Sequence, residues 1–512
     1  MSGDRDPIFR VSASRRGFLA ALIGAPLVGG CDHAGRARRA DVLRLGIANP
    51  PRNLDPRLAT DATSERLNRL LYARLMEFDA ASRPAPGIAI WERLGPTHYR
   101  FRLGGRGRDF SGGSRLTAAD VAATYASMLE PATASPHRAL LSIIARIEIL
   151  DDDRLDFRLR EPDPLFPGYL GIGILPARLI AAEHSFQREP VGSGPFLLKD
   201  WPEPGRVVIE RRYDGQGVEL VTVKDPNVRV MKLLRGEIQM LQNDLPPELV
   251  GFLHGRPGIR VERVDGTNFS YLGFNLRDPA TRDPRVRQAI AHGIDRQAVL
   301  RYLFRDGGRL AEALFPPEHW AGAPALVGYA HDPEQARALL ADAGWSDARP
   351  LRLSFKTSSD PFRLRLATVI QAQLRRIGIA VDVQSYDWGT FFGDIKAGRF
   401  QLCSLTWVGI RTPDIFRYVF HSASTPPDGA NRGRYRSAAA DRLIEQARAE
   451  PEPKRQAALY RELQALLHAD LPYVPLWYED QVYAARDEIQ GYRLAADGNY
   501  DGLKQVRRVS AR

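Results

Sequence analysis

Cysteine is almost missing from this chain: 512 residues hold two, Cys31 and Cys403. A scaffold stapled by several disulfides is therefore excluded. Long hydrophobic runs are missing too. The apolar run at 18–28 has 11 residues, short of the roughly 18 that a membrane-spanning helix needs. No Gly-x-Ser-x-Gly, His-Glu-x-x-His or Walker loop occurs, and Gly171-Ile172-Gly173 is only a fragment of a dinucleotide fingerprint. The ten histidines are scattered without a close pair, so neither a catalytic nor an all-protein metal site is indicated. Zinc-finger spacing, a basic region followed by heptads and an aromatic RNA-binding signature are likewise absent, which leaves nucleic acid without a reading element. No repeat with a period of roughly 20–50 residues is visible, against solenoids and propellers.

The chain does have 44% hydrophobic and 26% charged residues. That is a globular composition, too long for one core, and two or three domains are expected. The formal charge of +11 comes from arginines dispersed along the chain and reads as a solvated basic surface rather than a polyanion-binding arm. At the amino terminus, Ser14-Arg15-Arg16-Gly17-Phe18-Leu19 precedes the short apolar run and resembles a twin-arginine export signal. Val28-Gly29-Gly30-Cys31 resembles a bacterial lipoprotein cleavage site, with Cys31 as the acylated first residue. Cys403 then has no partner in the mature chain and reads as a small core residue. Removing residues 1–30 subtracts four arginines and two aspartates, leaving a formal charge of about +9.

Residues 32–40, rich in Ala, Gly and Arg, form a tether. Alternation predicts a strand at 42–47, and the prolines of Asn49-Pro50-Pro51-Arg52-Asn53-Leu54-Asp55-Pro56 force a loop after it. A helix is expected over about 64–76, with Leu67, Leu70, Leu71 and Leu75 on one face. Thr117 reads as the N-cap of another, with Asp120 at its third position. Strands at 99–103, 155–159, 207–210 and 351–355 interleave with helices at 284–305, 333–343, 362–377 and 441–468. This alternation argues for an α/β architecture with mixed sheets covered by helices. Gly192 and Gly194 read as positions needing backbone angles closed to other residues, with Pro195 fixing the next turn, a rigid crossing between lobes.

Seven landmarks stand in a familiar order: Asn53-Leu54-Asp55-Pro56; Leu71-Tyr72-Ala73-Arg74-Leu75; the segment from Asp109-Phe110-Ser111 to Ala119-Asp120-Val121; Val191-Gly192-Ser193-Gly194-Pro195-Phe196; Val286-Arg287-Gln288 to Ile294-Asp295-Arg296; Leu339-Leu340-Ala341-Asp342-Ala343-Gly344-Trp345; and Leu471-Pro472-Tyr473-Val474-Pro475-Leu476. Together they resemble the peptide and nickel binding class, family 5, of ABC-importer solute-binding proteins, over about 42–484. The resemblance implies a periplasmic-binding-protein-like two-lobe fold with a discontinuous first lobe, an inserted domain and two hinge strands. It divides the chain into a signal peptide (1–30), a tether (31–41), lobe I (42–75, 189–270 and 481–512), an inserted domain (76–188) and lobe II (271–480). The hinges are expected near Gly273-Phe274-Asn275-Leu276 and Leu476-Trp477-Tyr478.

The family holds its ligand between the lobes, against the loop after the first strand, the inserted domain and a Trp-x-Gly-like segment, here Thr406-Trp407-Val408-Gly409-Ile410-Arg411-Thr412-Pro413-Asp414. Trp407 reads as a rigid apolar wall or as core. Peptide-binding members carry an aspartate shortly after this tryptophan for the peptide amine, and here Ile410 stands nearest. Arg411 beside a tryptophan suits a carboxylate or another anion. Asp414 either takes the amine role in a shifted geometry or caps the helix starting at Ile415. Asn49 and Asn53 either bond the ligand or hold their loop; His137 is a pocket or a surface histidine. Trp388 and Tyr478 are further wall candidates. The function implied is the substrate-binding component of an ABC importer, non-enzymatic, monomeric, free of cofactor, metal and nucleic acid, lipid-anchored in the cell envelope and capturing a peptide-like or anionic small molecule for its permease subunits. A chemosensory or regulatory binding lipoprotein without a dedicated importer, and a carrier of a metal chelate or haem, remain as alternatives.

Overall fold

The computed structural model describes residues 42–509 apart from 80, 204 and 347; the export signal, the tether and Cys31 lie outside the described residues. The first strand, Leu43–Ile47, pairs on both sides, parallel to Gly217–Thr222 and to Met240–Gln242. Flanked this way it is nearly all buried, which is why its residues are apolar beyond simple alternation.

Ten strands form one hydrogen-bonded path, in the order Ile379–Tyr386, Leu351–Ser358, Leu402–Trp407, Ile259–Phe274, Tyr473–Arg486, Met240–Gln242, Leu43–Ile47, Gly217–Thr222, Arg206–Arg211, Phe196–Glu203. An eleventh, Gly308–Leu310, pairs with Tyr473–Arg486 off that path. The two longest strands belong to both halves. Residues 259–264 pair with 481–486, and the latter strand reaches Met240–Gln242; residues 268–273 pair with 473–479 and reach Leu402–Trp407. Their register slips between Val264 and Asn268. At that slip a Cβ on Gly266 would lie 1.9 Å from the Glu479 carbonyl oxygen, so only glycine lets the crossing backbones touch. The slip precedes the crossing expected at Gly273-Phe274-Asn275-Leu276, where residues 269–274 pair in register with Leu402–Trp407.

The inserted domain is a four-stranded antiparallel sheet, Ala89–Gly95, His98–Leu103, Arg154–Leu159, Ile144–Ile149 in that order. Helix Ala118–Leu129 packs on it and starts with a capping box, the Thr117 backbone N–H donating to Asp120 Oδ2 at 2.7 Å. One apolar cluster runs from this domain (Phe101, Tyr125, Phe157) to Tyr271, Phe416 and Tyr460. Separate clusters form around Leu43, Leu67 and Val218, and around Ile290, Phe355 and Trp477.

Three helices differ from expectation. The one predicted over 64–76 spans Ala62–Leu71, because the Leu71 carbonyl accepts the Gly194 N–H at 2.9 Å and Tyr72 turns extended. The 284–305 helix is two, Pro284–Gly293 and Arg296–Tyr302, since Asp295 caps a new start by accepting from Ala298 N. The 441–468 helix is also two, Ala438–Ala449 and Pro453–Asp470, broken at Pro451 and restarted by Glu452 accepting from Lys454 N and Arg455 N. The reason for Gly192 and Gly194 also differs. Neither has a positive φ; added Cβ atoms would sit 2.0 Å from the Leu71 oxygen and 2.3 Å from the Leu70 oxygen, so close approach, not dihedral freedom, demands glycine.

Candidate functional site

Strand Leu402–Trp407 pairs antiparallel with residues 269–274 and ends at Trp407. Tyr271 and Tyr473 stack at 3.9 Å, and Trp407 continues the column with its ring 6.4 Å from Tyr271. Beyond it, Val408 is 53% exposed and Gly409, at φ +70, has nothing within 4 Å of where a Cβ would be. This stretch therefore faces open space. Ile410 turns back and packs against the apolar cluster.

Arg411 crosses the gap. Its guanidinium pairs with Asp497 of the carboxy-terminal segment and lies 5.4 Å from the Phe78 ring centroid, while its carbonyl bonds His319 Nε2 at 2.9 Å. Burial lowers the Arg411 pKa. Burial works to raise Asp497, but Arg411 and Arg69 outweigh it and hold the carboxyl below its usual range. The anion that this guanidinium was expected to meet is thus supplied by the protein. Asp414 stands at the N-cap of helix Ile415–Phe420 without a side-chain capping bond, and accepts the Thr412 hydroxyl instead. Burial, with Asp163 adding, pushes it up to about 6.

The remaining predicted residues are dispersed. Asn53 Oδ1 accepts from Asp55 N at 2.8 Å, and its own N–H bonds Ser64 Oγ, so it organises the loop. Asn49 is exposed, its carbonyl bonded by Thr63. His137 is half-buried beside that loop, where Ser135 Oγ donates to the Arg57 carbonyl at 2.7 Å, and burial lowers its pKa. Trp388 begins helix Trp388–Ala397, is 59% exposed and stacks on Phe392 at 5.3 Å. Tyr478 is 1% exposed and donates to the Ala313 carbonyl at 2.6 Å, which leaves it no surface for a ligand. Among the described residues no group of three or more His, Cys, Asp or Glu is placed to hold a metal, and no helix is long and apolar enough to cross a membrane.

Other charged residues at this site escaped the sequence reading. Glu65, on helix Ala62–Leu71 of lobe I, is exposed and makes no ion pair among the described residues. Its carboxyl is nonetheless pushed up to about 7, by burial first and Asp61 second, against Arg74 and Arg411. Near the register slip, Glu479 takes Arg363 at 2.9 Å and the Ser270 hydroxyl at 2.7 Å. Arg432 lies 4.8 Å from the Trp407 ring centroid. Nothing in local pattern marks Glu65 or Arg432, since both read as polar positions on a helix and in a loop.

A large mixed sheet whose two longest strands are shared by both halves, with a four-stranded domain beside it, defines a two-lobe fold. Residues 56–429 match the family described as bacterial extracellular solute-binding proteins, family 5 Middle, and the chain belongs to that family. Among its relatives, Di/tripeptide-binding protein 2 of Pseudomonas aeruginosa (strain UCBPP-PA14) is 29% identical, the alignment spanning 86% of this chain and 92% of that protein. The periplasmic binding protein DppA from Helicobacter pylori, solved with the peptide STSA, superposes with a TM-score of 0.78 at 25% identity, covering 92% of this chain and 99% of its own. NikZ from Campylobacter jejuni, solved with Ni(L-His), shares the fold with a TM-score of 0.80 at 22% identity, covering 91% and 99%.

Proposed function

We propose that this chain captures short peptides or related small solutes between its lobes and passes them to the permease subunits of an ABC importer, without making or breaking a bond in its guest. The observation that carries this reading is the way the lobes meet. Two strands join them and slip register at 264–268, while side-chain ion pairs bridge the gap: Arg411 to Asp497, Arg365 to Glu248, and Arg448 to Asp163 and Glu161. The Arg365–Glu248 pair is largely exposed and exchanges for water at little net cost, and two strands that slip register at one place can bend there. The peptide class is supported by the di/tripeptide-binding name of the relative above and by the peptide in the Helicobacter pylori structure.

On this reading lobe I comprises 42–75, 189–270 and 481–512, the inserted domain 76–188 and lobe II 271–480. Residues 1–30 are a twin-arginine signal, and Cys31 carries the lipid that tethers a monomer in the cell envelope. The test is to purify the protein, denature it and identify any released small molecule by mass spectrometry, then to screen di- and tripeptides by thermal shift. A ligand at 100 times its Kd stabilises the folded state by about 2.7 kcal/mol. A screen in which no peptide raises the midpoint sinks the peptide reading, and accumulation of a product sinks the carrier reading.

A further inference from the structure

Where helix Ala62–Leu71 runs out beside the crossing at 192–195, residues around one cavity of about 340 Å³ carry four buried polar atoms without a hydrogen-bond partner. They are Arg69 Nη1, Arg74 Nε, Ser193 Oγ and Arg212 Nε. Ser193 and Arg74 are 6% and 8% exposed. None of the residues read from the sequence as ligand contacts, Trp407 and Arg411 included, lines this cavity.

Its charges do not balance. Arg69, Arg74, Arg212 and Lys504 line it, against Glu77 and Asp109. Glu77 serves both Arg69, at 3.1 Å, and Arg74, taking one edge of each guanidinium and leaving Nη1 of the first and Nε of the second. Asp501, outside the lining, takes Arg69 at 2.7 Å and Lys504 at 2.8 Å. Arg212 makes no ion pair among the described residues; its Nη2 donates to the Gly192 carbonyl at 2.7 Å, and Asp109 is exposed. Burial first and Arg69 second push the Arg74 guanidinium down to about 10, more than Glu77 restores. It stays cationic at neutral pH, in a place where positive charge is in excess.

Buried donors without an acceptor weaken a fold unless something accepts from them. The cavity has space for about ten water molecules at roughly 30 Å³ each, and water accepts hydrogen bonds but brings no charge. A tetrahedral oxyanion brings both. Its oxygens accept from several directions at once and pair with guanidinium edges, and where surrounding charges are mostly buried the attraction is little screened.

We infer that this cavity binds a small oxyanion of the phosphate class, held by Arg69, Arg74, Arg212 and Ser193. The inference goes beyond the solute-capture reading and does not depend on it.

The experiment is calorimetry on the purified protein in a buffer free of phosphate and sulfate, titrating inorganic phosphate, sulfate and glycerol 3-phosphate, with sodium chloride at matched ionic strength as the control. Phosphate is expected to bind once per chain and chloride not at all. Phosphate tighter than glycerol 3-phosphate marks the free ion as the occupant, and the reverse order marks a phosphomonoester. Ser193→Ala removes a hydroxyl that makes no hydrogen bond within the protein, so thermal unfolding without phosphate should be unchanged or raised while phosphate affinity falls about 10-fold. Arg74→Gln should lower affinity about 10- to 100-fold, the range of a hydrogen bond to a charged partner. Arg212→Gln, which breaks no ion pair, should lower it about 10-fold and keeps the test open where Arg74→Gln does not fold. Binding of none of the three oxyanions above the chloride control, or phosphate affinity undiminished in both Ser193→Ala and Arg212→Gln, overturns the inference.

Discussion

Replacing Asp497 with Asn tests whether the Arg411 contact holds the lobes together. The two side chains are 23% and 18% exposed, so the pair is mostly but not wholly removed from water. Removing one partner of a fully buried pair costs about 3–5 kcal/mol; partial exposure and the Phe78 ring beneath Arg411 reduce this to about 2–3 kcal/mol. The cost falls only on the form in which the lobes meet, because opening returns Arg411 to water. The closed-to-open ratio should therefore drop about 30- to 150-fold. Two assays read it. X-ray scattering of the ligand-free variant should show a larger radius of gyration; where closure persists without ligand, calorimetry should show solute affinity weakened by the same factor. The denaturation midpoint of the lobes themselves should move little. The sign with pH is also defined. Since Asp497 titrates below its usual range, the contact contributes fully above the ordinary aspartate value near 4 and is lost as pH falls through its lower folded value. A variant with wild-type scattering and wild-type affinity would refute the closing role.

Glu65→Gln should change how stability varies with pH. The folded carboxyl, pushed up to about 7 from 4.5, binds more protons than the unfolded one between those values, so wild-type stability falls as pH rises through that window. The variant should lack this decline, and parallel Tm-against-pH curves for the two proteins would contradict it. Cys403 is buried and its thiol pushed up to about 12 by burial, so this thiol should not react with a thiol reagent at pH 8 in native protein, and denatured protein should take up one equivalent more. Gly194→Ala forces a Cβ to within 2.3 Å of the Leu70 oxygen and 2.5 Å of the Leu71 carbon. These backbone atoms cannot step aside as a flexible side chain would, and chemical denaturation should show a loss of about 2–3 kcal/mol; a neutral result would mean the crossing is loose.

Much of the fold was legible because it is written in local terms. Alternation placed strands at 42–47, 99–103 and 351–355, where the structure has Leu43–Ile47, His98–Leu103 and Leu351–Ser358; the capping box at Thr117 was readable from two residues, and landmarks spaced along the chain pointed to the family. The misread helices failed for one physical reason: apolar spacing continued past the place where the chain turned. At Leu71 the stop comes from Gly194, 123 positions later, taking the carbonyl. At Asp295 and at Pro451-Glu452 the signals were local, and apolar periodicity on both sides masked them.

Sequence by itself determined the strand and helix inventory, the proline-rich loop after the first strand, and the tryptophan segment that ends beside the gap, because each depends on neighbours within a few residues. Only the tertiary structure decided which charges remain free. Arg411 looked available until Asp497, 86 positions away, was brought against it, whereas Arg432 looked ordinary until Trp407 and Phe392 closed around it, with no ion pair to it among the described residues. A residue's charge is set by its own chemistry, but whether that charge is spent depends on distant segments, and no local pattern records that.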